Sequence, residues 1–251
     1  MLENPPLPVS TTEERRHWAE GVLRDTADEQ RRGHPSLEIA SRRVGGLPSL
    51  ALAAAAKDSA LLAIGSRGLG SVAGFLVGST GSTTVSATEC PVVLVRAPGH
   101  ALPAAEAPAR RGPVVAGVDI GRPCDRLLSF AFEEAALHGC PLVVVHGWSP
   151  PPVLGYAPAF DAGVHAEMAR GVATALDEML HPWRARFPSV TVDPRATIGS
   201  AAVRILDAAV GATLVVVGRR IRRAEYGTHV GAIAHAVMHH SASPIAVVAH
   251  D

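Results

Sequence analysis

Apolar runs and amphipathic stretches alternate regularly along the second half of the chain. Residues 114–119 form a continuous apolar run that ends in an acid, a pattern typical of a strand buried on both faces of a parallel sheet. Apolar residues at helical spacing then predict a helix from Pro123 to a cap at Gly139. The same reasoning predicts strands at 142–146, 190–192, 214–217 and 245–248, and helices at 161–186, 199–210 and 230–240. This β-α-β order predicts a parallel sheet covered by helices on both faces.

An internal repeat extends over most of the chain. A shift of 153 residues superposes two apolar runs, 61–64 on 214–217 and 92–95 on 245–248. It also superposes four pairs of punctuating residues: Gly46 on Gly199, Gly65 on Gly218, Gly78 on Gly231 and Pro91 on Pro244. Such a fixed offset indicates a duplication. We therefore predict a first copy at 1–96, an Ala/Pro-rich linker at 97–112 and a complete second copy at 113–251, with no counterpart of 113–153 in the first copy.

Composition excludes several classes of function. The 251 residues carry 23 basic and 23 acidic side chains, so the chain lacks the positive charge expected of a protein that binds nucleic acid or an anionic membrane. No apolar stretch approaches the roughly 20 residues of a membrane span, and the start lacks a secretory pattern, so we expect a cytoplasmic protein. Lys57 is the only lysine and follows alanine, which excludes a Walker A loop. Cys90, Cys124 and Cys140 form no C-x-x-C pair and are expected to be reduced structural thiols.

A glycine-rich segment of the first copy carries the strongest chemical signal. Two groups of residues, one after the strand at 61–64 and one at the start of a predicted helix, could cradle an anion with backbone amides, hydroxyls and a guanidinium: Gly65, Ser66, Arg67 and Gly68, then Gly78, Ser79 and Thr80. A plain turn would use glycine as well. A dinucleotide-binding fingerprint at Gly68, Gly70 and Ala73 fits poorly. Gly68 comes four residues after the end of its strand, and the acid Glu89 precedes the next strand instead of ending it.

The spacing G-x-x-G-x9-G-[S/T] of these residues resembles the nucleotide-binding signature of the universal stress protein family. Residues 117–119 (Gly-Val-Asp) look like that family's first strand, and residues 90–95 look like its last. The resemblance implies a flavodoxin-like (Rossmann-like) α/β domain with a parallel five-stranded sheet, often in tandem or paired through its last strands. Some members bind ATP. The resemblance assigns phosphate contacts to the glycine segment and an adenine or ribose contact to Asp119 of the second copy.

Both copies depart from the family pattern. In the second copy Ile221 replaces a glycine and Ala232 replaces the hydroxyl residue, so we expect this copy to bind ATP poorly or not at all. We interpret its four nearby arginines as a solvated basic turn: Arg219, Arg220, Arg222 and Arg223. The first copy keeps the loop but lacks the family's central first strand. We expect this absence to separate its third strand from its fourth and fifth strands. Our hypothesis is a native start upstream of Met1; the alternative is a remnant docked on the second copy.

Other groups of candidate site residues give weaker signals. His235 and His239 have helical spacing suited to a metal, but no carboxylate or cysteine completes a set, and His146 is expected to be structural or to line a pocket edge. No nucleophile with a neighbouring base can be named, so we predict no enzyme and no metal. The leading function is a nucleotide (ATP)-responsive binding module in stress adaptation, with homo-oligomer or intrachain pairing through the last strands. Alternatives are a ligand-free scaffold that pairs 92–95 with 245–248, and a slow ATPase.

Overall fold

The computed structural model describes residues 12–66, 78–96, 112–150, 162–221 and 230–250. By their contacts the residues divide into two compact units, one ending at Ala51 and one beginning at Leu52. The described ranges contain these helices and strands in chain order: α1 Thr12–Gly33, α2 Pro48–Ala56, β1 Leu62–Ser66, α3 Ser79–Ala87, β2 Val92–Arg96, β3 Val114–Gly117, α4 Asp125–His138, β4 Leu142–Trp148, α5 Ala162–Arg186, β5 Val192–Ile198, α6 Ala201–Ala208, β6 Leu214–Arg220, α7 Ala232–His240 and β7 Ile245–His250.

The N-terminal unit contains helices, and it is irregular where the repeat predicts a strand. Its helix α1 is polar, and Trp18 on it is 66% exposed. Residues 39–45, which the 153-residue shift places on β5, form no strand, and Val44 there is exposed. In the second copy β5 is held by hydrogen bonds to β4. Among the described residues no strand of the first copy corresponds to β4, so residues 39–45 have no such partner strand.

The second unit is built on one seven-stranded sheet with the order β1-β2-β7-β6-β3-β4-β5. The second copy supplies β3 to β7, which are all parallel and run β7-β6-β3-β4-β5 across the sheet. Numbered within one domain this is the order 3-2-1-4-5, the doubly wound (Rossmann-like) order in which the first strand is central. The predicted fold class, a five-stranded parallel α/β domain in tandem with an incomplete first copy, is therefore confirmed.

The repeat is visible in the backbone as well as in the sequence. The shift of 153 residues carries α3 onto α7 residue for residue, and carries β2 onto the start of β7. Gly46 and Gly199, which the same shift superposes, both have positive φ, at 104° and 126°. Gly139 ends α4 with φ 60°, which confirms the predicted helix cap. One strand was misplaced: β5 begins at Val192 and not at Val190, because its polar, Pro-containing sequence hides the apolar signal on which the prediction relied.

Apolar clusters cover the two faces of the sheet. On one face Phe132 of α4 stacks on Trp183 of α5, with ring centroids 5.8 Å apart. On the other face α6, α7 and α3 pack over the valines of β3, β4 and β6. Two glycines let α6 approach closely: a Cβ on Gly117 would lie 2.3 Å from Ile205 Cδ1, and one on Gly147 would lie 2.4 Å from Ala201 Cα. Cores on both faces fix the position of the strand ends.

The two copies are joined through their last strands. Strand β2 of the first copy runs antiparallel to β7 of the second, with Val92 opposite Val247 and Leu94 opposite Ile245. The resemblance to the family implied pairing of these two runs, either between chains or within one chain, and here they pair within one chain. Each of the two strands also has a parallel neighbour on its other side, β1 for β2 and β6 for β7.

Candidate functional site

The two described parts of the predicted loop lie at the same edge of the sheet. Gly65 and Ser66 are the last two residues of β1, and Gly78 immediately precedes α3. Helix α3 connects the parallel strands β1 and β2, so its first turn lies at their carboxyl ends. Gly78 and Ser79 are exposed and Thr80 is half-buried. Arg67 and Gly68 lie outside the described residues.

The first turn of α3 presents backbone amides to this edge. No side chain caps the helix at Gly78, whose backbone is extended with φ −58° and ψ 160°. The first intrahelical bond runs from Ser82 N to Gly78 O at 3.1 Å, so the amides of Ser79, Thr80 and Gly81 have no acceptor within the helix. Amides in this position, together with the helix dipole, attract an anion such as phosphate.

Nothing in the described part of the chain requires glycine at Gly65 or Gly78. A Cβ built on either residue meets no atom within 4 Å among the described residues, and neither residue has a positive φ. The contrast with Gly218, the repeat counterpart of Gly65, is clear: a Cβ there would lie 2.5 Å from His250 Nε2. Open space in front of both first-copy glycines is what the approach of a ligand would need.

The second copy closes the corresponding position. Ile221, which replaces the second glycine of the signature, donates from its backbone amide to His250 O at 2.8 Å and so continues the pairing of β6 with β7. Gly231 has almost the same backbone as Gly78, with φ −60° and ψ 153°, but Ala232 after it has no hydroxyl group. The second copy therefore has a helix start of the same shape without the hydroxyl group, and it has Ile221 in the extended β6–β7 pairing where the first copy has Gly68 in the sequence.

The interpretation of Arg219 as part of a solvated basic turn is wrong. Arg219 lies in β6, is only 4% exposed, and donates a hydrogen bond from Nη2 to Thr88 O at the end of α3. Burial lowers the pKa of its guanidinium, and the nearby Glu89 carboxylate opposes that change. Side chains alternate between the two faces of β6, and the side chain of Arg219 lies on the face that the first copy covers. The sequence of the second copy alone could not show this contact. Arg220 is exposed, and Arg222 and Arg223 lie outside the described residues.

Asp119 is far from the glycine loop of the first copy. Its Oδ1 accepts a hydrogen bond from Gly121 N at 3.1 Å and its Oδ2 lies 2.9 Å from Arg122 Nε, so the carboxylate stabilises the turn after β3. Strands β2, β7 and β6 separate β1 from β3, a distance of roughly 19 Å at about 4.8 Å per strand. Because β2 and β7 are antiparallel, the carboxyl ends of β1 and β3 also lie at opposite edges of the sheet. The two predicted sets of site residues are not brought together.

The remaining candidates have structural environments. His146 is buried, and its Nδ1 lies 3.0 Å from Val118 O. Burial and the nearby Asp125 and Asp119 carboxylates raise the pKa of the Cys124 thiol to about 11, so it stays protonated at neutral pH. Within the described ranges, no three His, Cys, Asp or Glu side chains form a cluster that could hold a metal. None of the helices described is long and apolar enough to cross a membrane.

The strand order and the tandem glycine positions define the class: a duplicated, doubly wound (Rossmann-like) α/β protein. The universal stress protein family model matches residues 2–96 and 111–249. The chain belongs to the universal stress protein family.

Related proteins carry the same description. Universal stress protein Rv1996 of Mycobacterium tuberculosis is 34% identical over 204 residues, which are 78% of this chain and 61% of that protein. The chain thus spans about 61% of the length of this relative. A solved universal stress protein from Archaeoglobus fulgidus DSM 4304 covers 98% of the chain with a TM-score of 0.66 at 18% identity, which supports the fold. Another from Archaeoglobus fulgidus was solved in complex with dAMP and superposes with a TM-score of 0.36.

Proposed function

We propose that the chain is a nucleotide-binding module whose site is the first-copy loop. The phosphates would bind the amides at the start of α3 and the hydroxyl groups of Ser66, Ser79 and Thr80, while Arg67 adds charge. Gly65, Gly68 and Gly78 would let the backbone approach the ligand. The second copy would act as the non-binding partner that holds β2 in the sheet.

One observation carries this proposal: the uncapped start of α3, where the amides of Ser79, Thr80 and Gly81 have no acceptor within the helix and the hydroxyl groups of Ser79 and Thr80 lie in the same turn. The equivalent helix start of the second copy has Ala232 in place of Ser79 and so lacks that hydroxyl group. Among the described residues, the open space at Gly65 and Gly78 leaves room for a ligand. The family signature at the same positions agrees with a nucleotide as that ligand.

Two glycines at equivalent places give a matched experiment. Gly78→Val would place a branched side chain against the phosphates and is expected to lower affinity at least about tenfold. Gly231→Val makes the same change at the equivalent helix start of the second copy, with the same backbone and the same open space, and should leave affinity unchanged. Isothermal titration with ATP, AMP and cyclic AMP measures both, with Gly68→Ile as a second change in the first loop.

Equal affinity for the Gly78→Val and wild-type chains would reject the assigned loop, as would loss of binding in Gly231→Val alone. ATP responsiveness, as opposed to binding of any adenine nucleotide, is read from the ratio of the ATP and AMP affinities. The proposal is for binding without catalysis, because the sequence carries none of the common hydrolase or kinase signatures. Phosphate release faster in the wild-type chain than in Gly78→Val would instead favour a slow ATPase.

A further inference from the structure

Helix α3, which begins at the candidate site, has a less apolar buried face than its repeat counterpart α7. The buried residues of α7 are all apolar: Ala234, Val237 and Met238. The equivalent positions of α3 have smaller or more polar side chains: Gly81, Thr84 and Val85. Each of the three replacements removes apolar atoms, so α3 gains less stability from burial than α7 does.

The sequence of α3 also disfavours an isolated helix. Its nine residues read Ser-Thr-Gly-Ser-Thr-Thr-Val-Ser-Ala, and only Ala87 among them has a high helix propensity. A helix this short is marginal in water even when its sequence is favourable. The order of α3 therefore depends strongly on the contacts made at its two ends.

The second copy supplies the contact at the carboxyl end of α3. The buried guanidinium of Arg219 donates a hydrogen bond from Nη2 to the carbonyl oxygen of Thr88, the residue that follows the helix. Carbonyl groups at this end have no intrahelical donor, and the helix dipole is negative there, so a positive charge stabilises the helical state of α3. Ser66, the repeat counterpart of Arg219, has no charge with which to stabilise α7 in the same way.

Two buried threonines connect the carboxyl end of α3 to its first turn. Thr88 Oγ1 donates to Thr84 O at 3.0 Å, and Thr84 Oγ1 donates to Thr80 O at 2.7 Å. Both side chains are buried, so water does not compete for these bonds. The bonds follow one face of α3 over about two helical turns, from the Arg219 contact to Thr80 of the candidate site.

We propose that Arg219 is a positioning residue for the nucleotide site, through which the second copy regulates the affinity of the first. Arg219 contacts the end of α3 opposite to the site and favours the ordered helix whose first turn binds the phosphates. An anion at the amino end and a guanidinium at the carboxyl end stabilise the same helical state, so each favours the other. This inference rests on the proposed function, since it concerns binding at that site.

The experiment compares the wild-type chain with Arg219→Met and Arg219→Lys. Methionine fills much of the same space without a charge or a donor, and lysine restores both. Isothermal titration with ATP should show affinity lowered about fivefold or more in Arg219→Met and partly restored in Arg219→Lys. Hydrogen exchange at the amides of Thr84 and Val85, measured by NMR without nucleotide, should be about tenfold faster in Arg219→Met than in the wild-type chain.

Two control variants separate positioning from general stability. Gly147→Ala is expected to destabilise the chain at β4, which three strands separate from β2. Well below the unfolding temperature it should leave ATP affinity unchanged, although it lowers stability as Arg219→Met does. Arg220→Ala, at the exposed neighbour of Arg219, should change neither stability nor affinity.

The outcomes distinguish this inference from the proposed function. Equal ATP affinity in Arg219→Met and the wild-type chain, together with binding that Gly78→Val weakens, would overturn the role of Arg219 and leave the proposed function standing. An equal loss of affinity in Gly147→Ala would assign the effect to general stability and would also overturn that role. A wild-type chain that binds no adenine nucleotide would reject the proposed function and this inference together.

Discussion

The Arg219 guanidinium on β6 donates a buried hydrogen bond to the Thr88 carbonyl oxygen at the end of α3, and so connects the second copy to the first. The repeat places Ser66 at the position equivalent to Arg219, so the junction is not symmetric. The antiparallel pairing of β2 with β7 could form in any duplicated chain of this fold. The arginine adds a contact that only one of the two copies can make.

Replacing Arg219 by alanine should destabilise the junction. Thr88 O would lose its charged donor and remain buried, which costs about 1–3 kcal/mol of the free energy of unfolding. Urea unfolding followed by circular dichroism measures the change. Arg220→Ala, one residue along and exposed, is the control and should change stability by about 0.5 kcal/mol or less. Equal effects of the two substitutions would contradict a role for Arg219 in the junction.

Gly147 should not tolerate a side chain. A Cβ there would lie 2.4 Å from Ala201 Cα, which is backbone and cannot move without displacing α6. We expect Gly147→Ala to cost at least about 1–3 kcal/mol, the range of overpacked cores. Gly171→Ala, inside α5 with no atom within 4 Å of the new Cβ, should instead stabilise by about 0.5–1 kcal/mol. Thermal unfolding of both variants checks the sign; a stable Gly147→Ala chain would mean that α6 packs differently.

Stability should fall at alkaline pH through Cys124. Its pKa is raised from the ordinary 9.0 to about 11 in the folded chain, so the unfolded chain loses the thiol proton first. The contribution to stability is therefore complete below pH 9 and is lost as the pH rises through 11. The two pKa values differ by about two units, or about 3 kcal/mol.

The stability difference between the wild-type and Cys124→Ala chains isolates this contribution from other groups that titrate at high pH. It should shift in favour of the variant between pH 9 and 11, as measured by urea unfolding at several pH values. A difference that is constant across this range would show that the thiol does not titrate with the expected pKa. At pH 8 the thiol should also react slowly with Ellman's reagent in the folded chain, since it is 7% exposed.

Nucleotide stoichiometry should be close to one per chain. The second copy keeps the helix start at Gly231 but continues the β6–β7 pairing through Ile221, so it offers no open glycine turn. Titration calorimetry gives the stoichiometry directly. A value of two, or a value of one that disappears with Gly231→Val, would place binding in the second copy.

The sequence alone determined the fold of the second copy, because burial in a parallel α/β domain leaves local patterns in the sequence. Strands covered on both faces are continuous apolar runs, and helices carry apolar residues at helical spacing. The sequence also determined the repeat, and the resemblance to the family implied the pairing of 92–95 with 245–248 that the structure shows. The polar edge strand β5 was placed two residues early, because an edge strand needs no continuous apolar run.

Only the tertiary structure decided what depends on contacts between the copies. The residues next to Arg219 in the sequence indicate a solvated side chain, because its hydrogen-bond partner Thr88 is 131 residues away. The distance between Asp119 and the loop at Gly65 follows from the antiparallel junction, which reverses the direction of the first copy in the sheet. The unfilled space at Gly65 and the filled space at Gly218 have the same sequence signal, and they differ because the side chain of His250 lies beside only one of them.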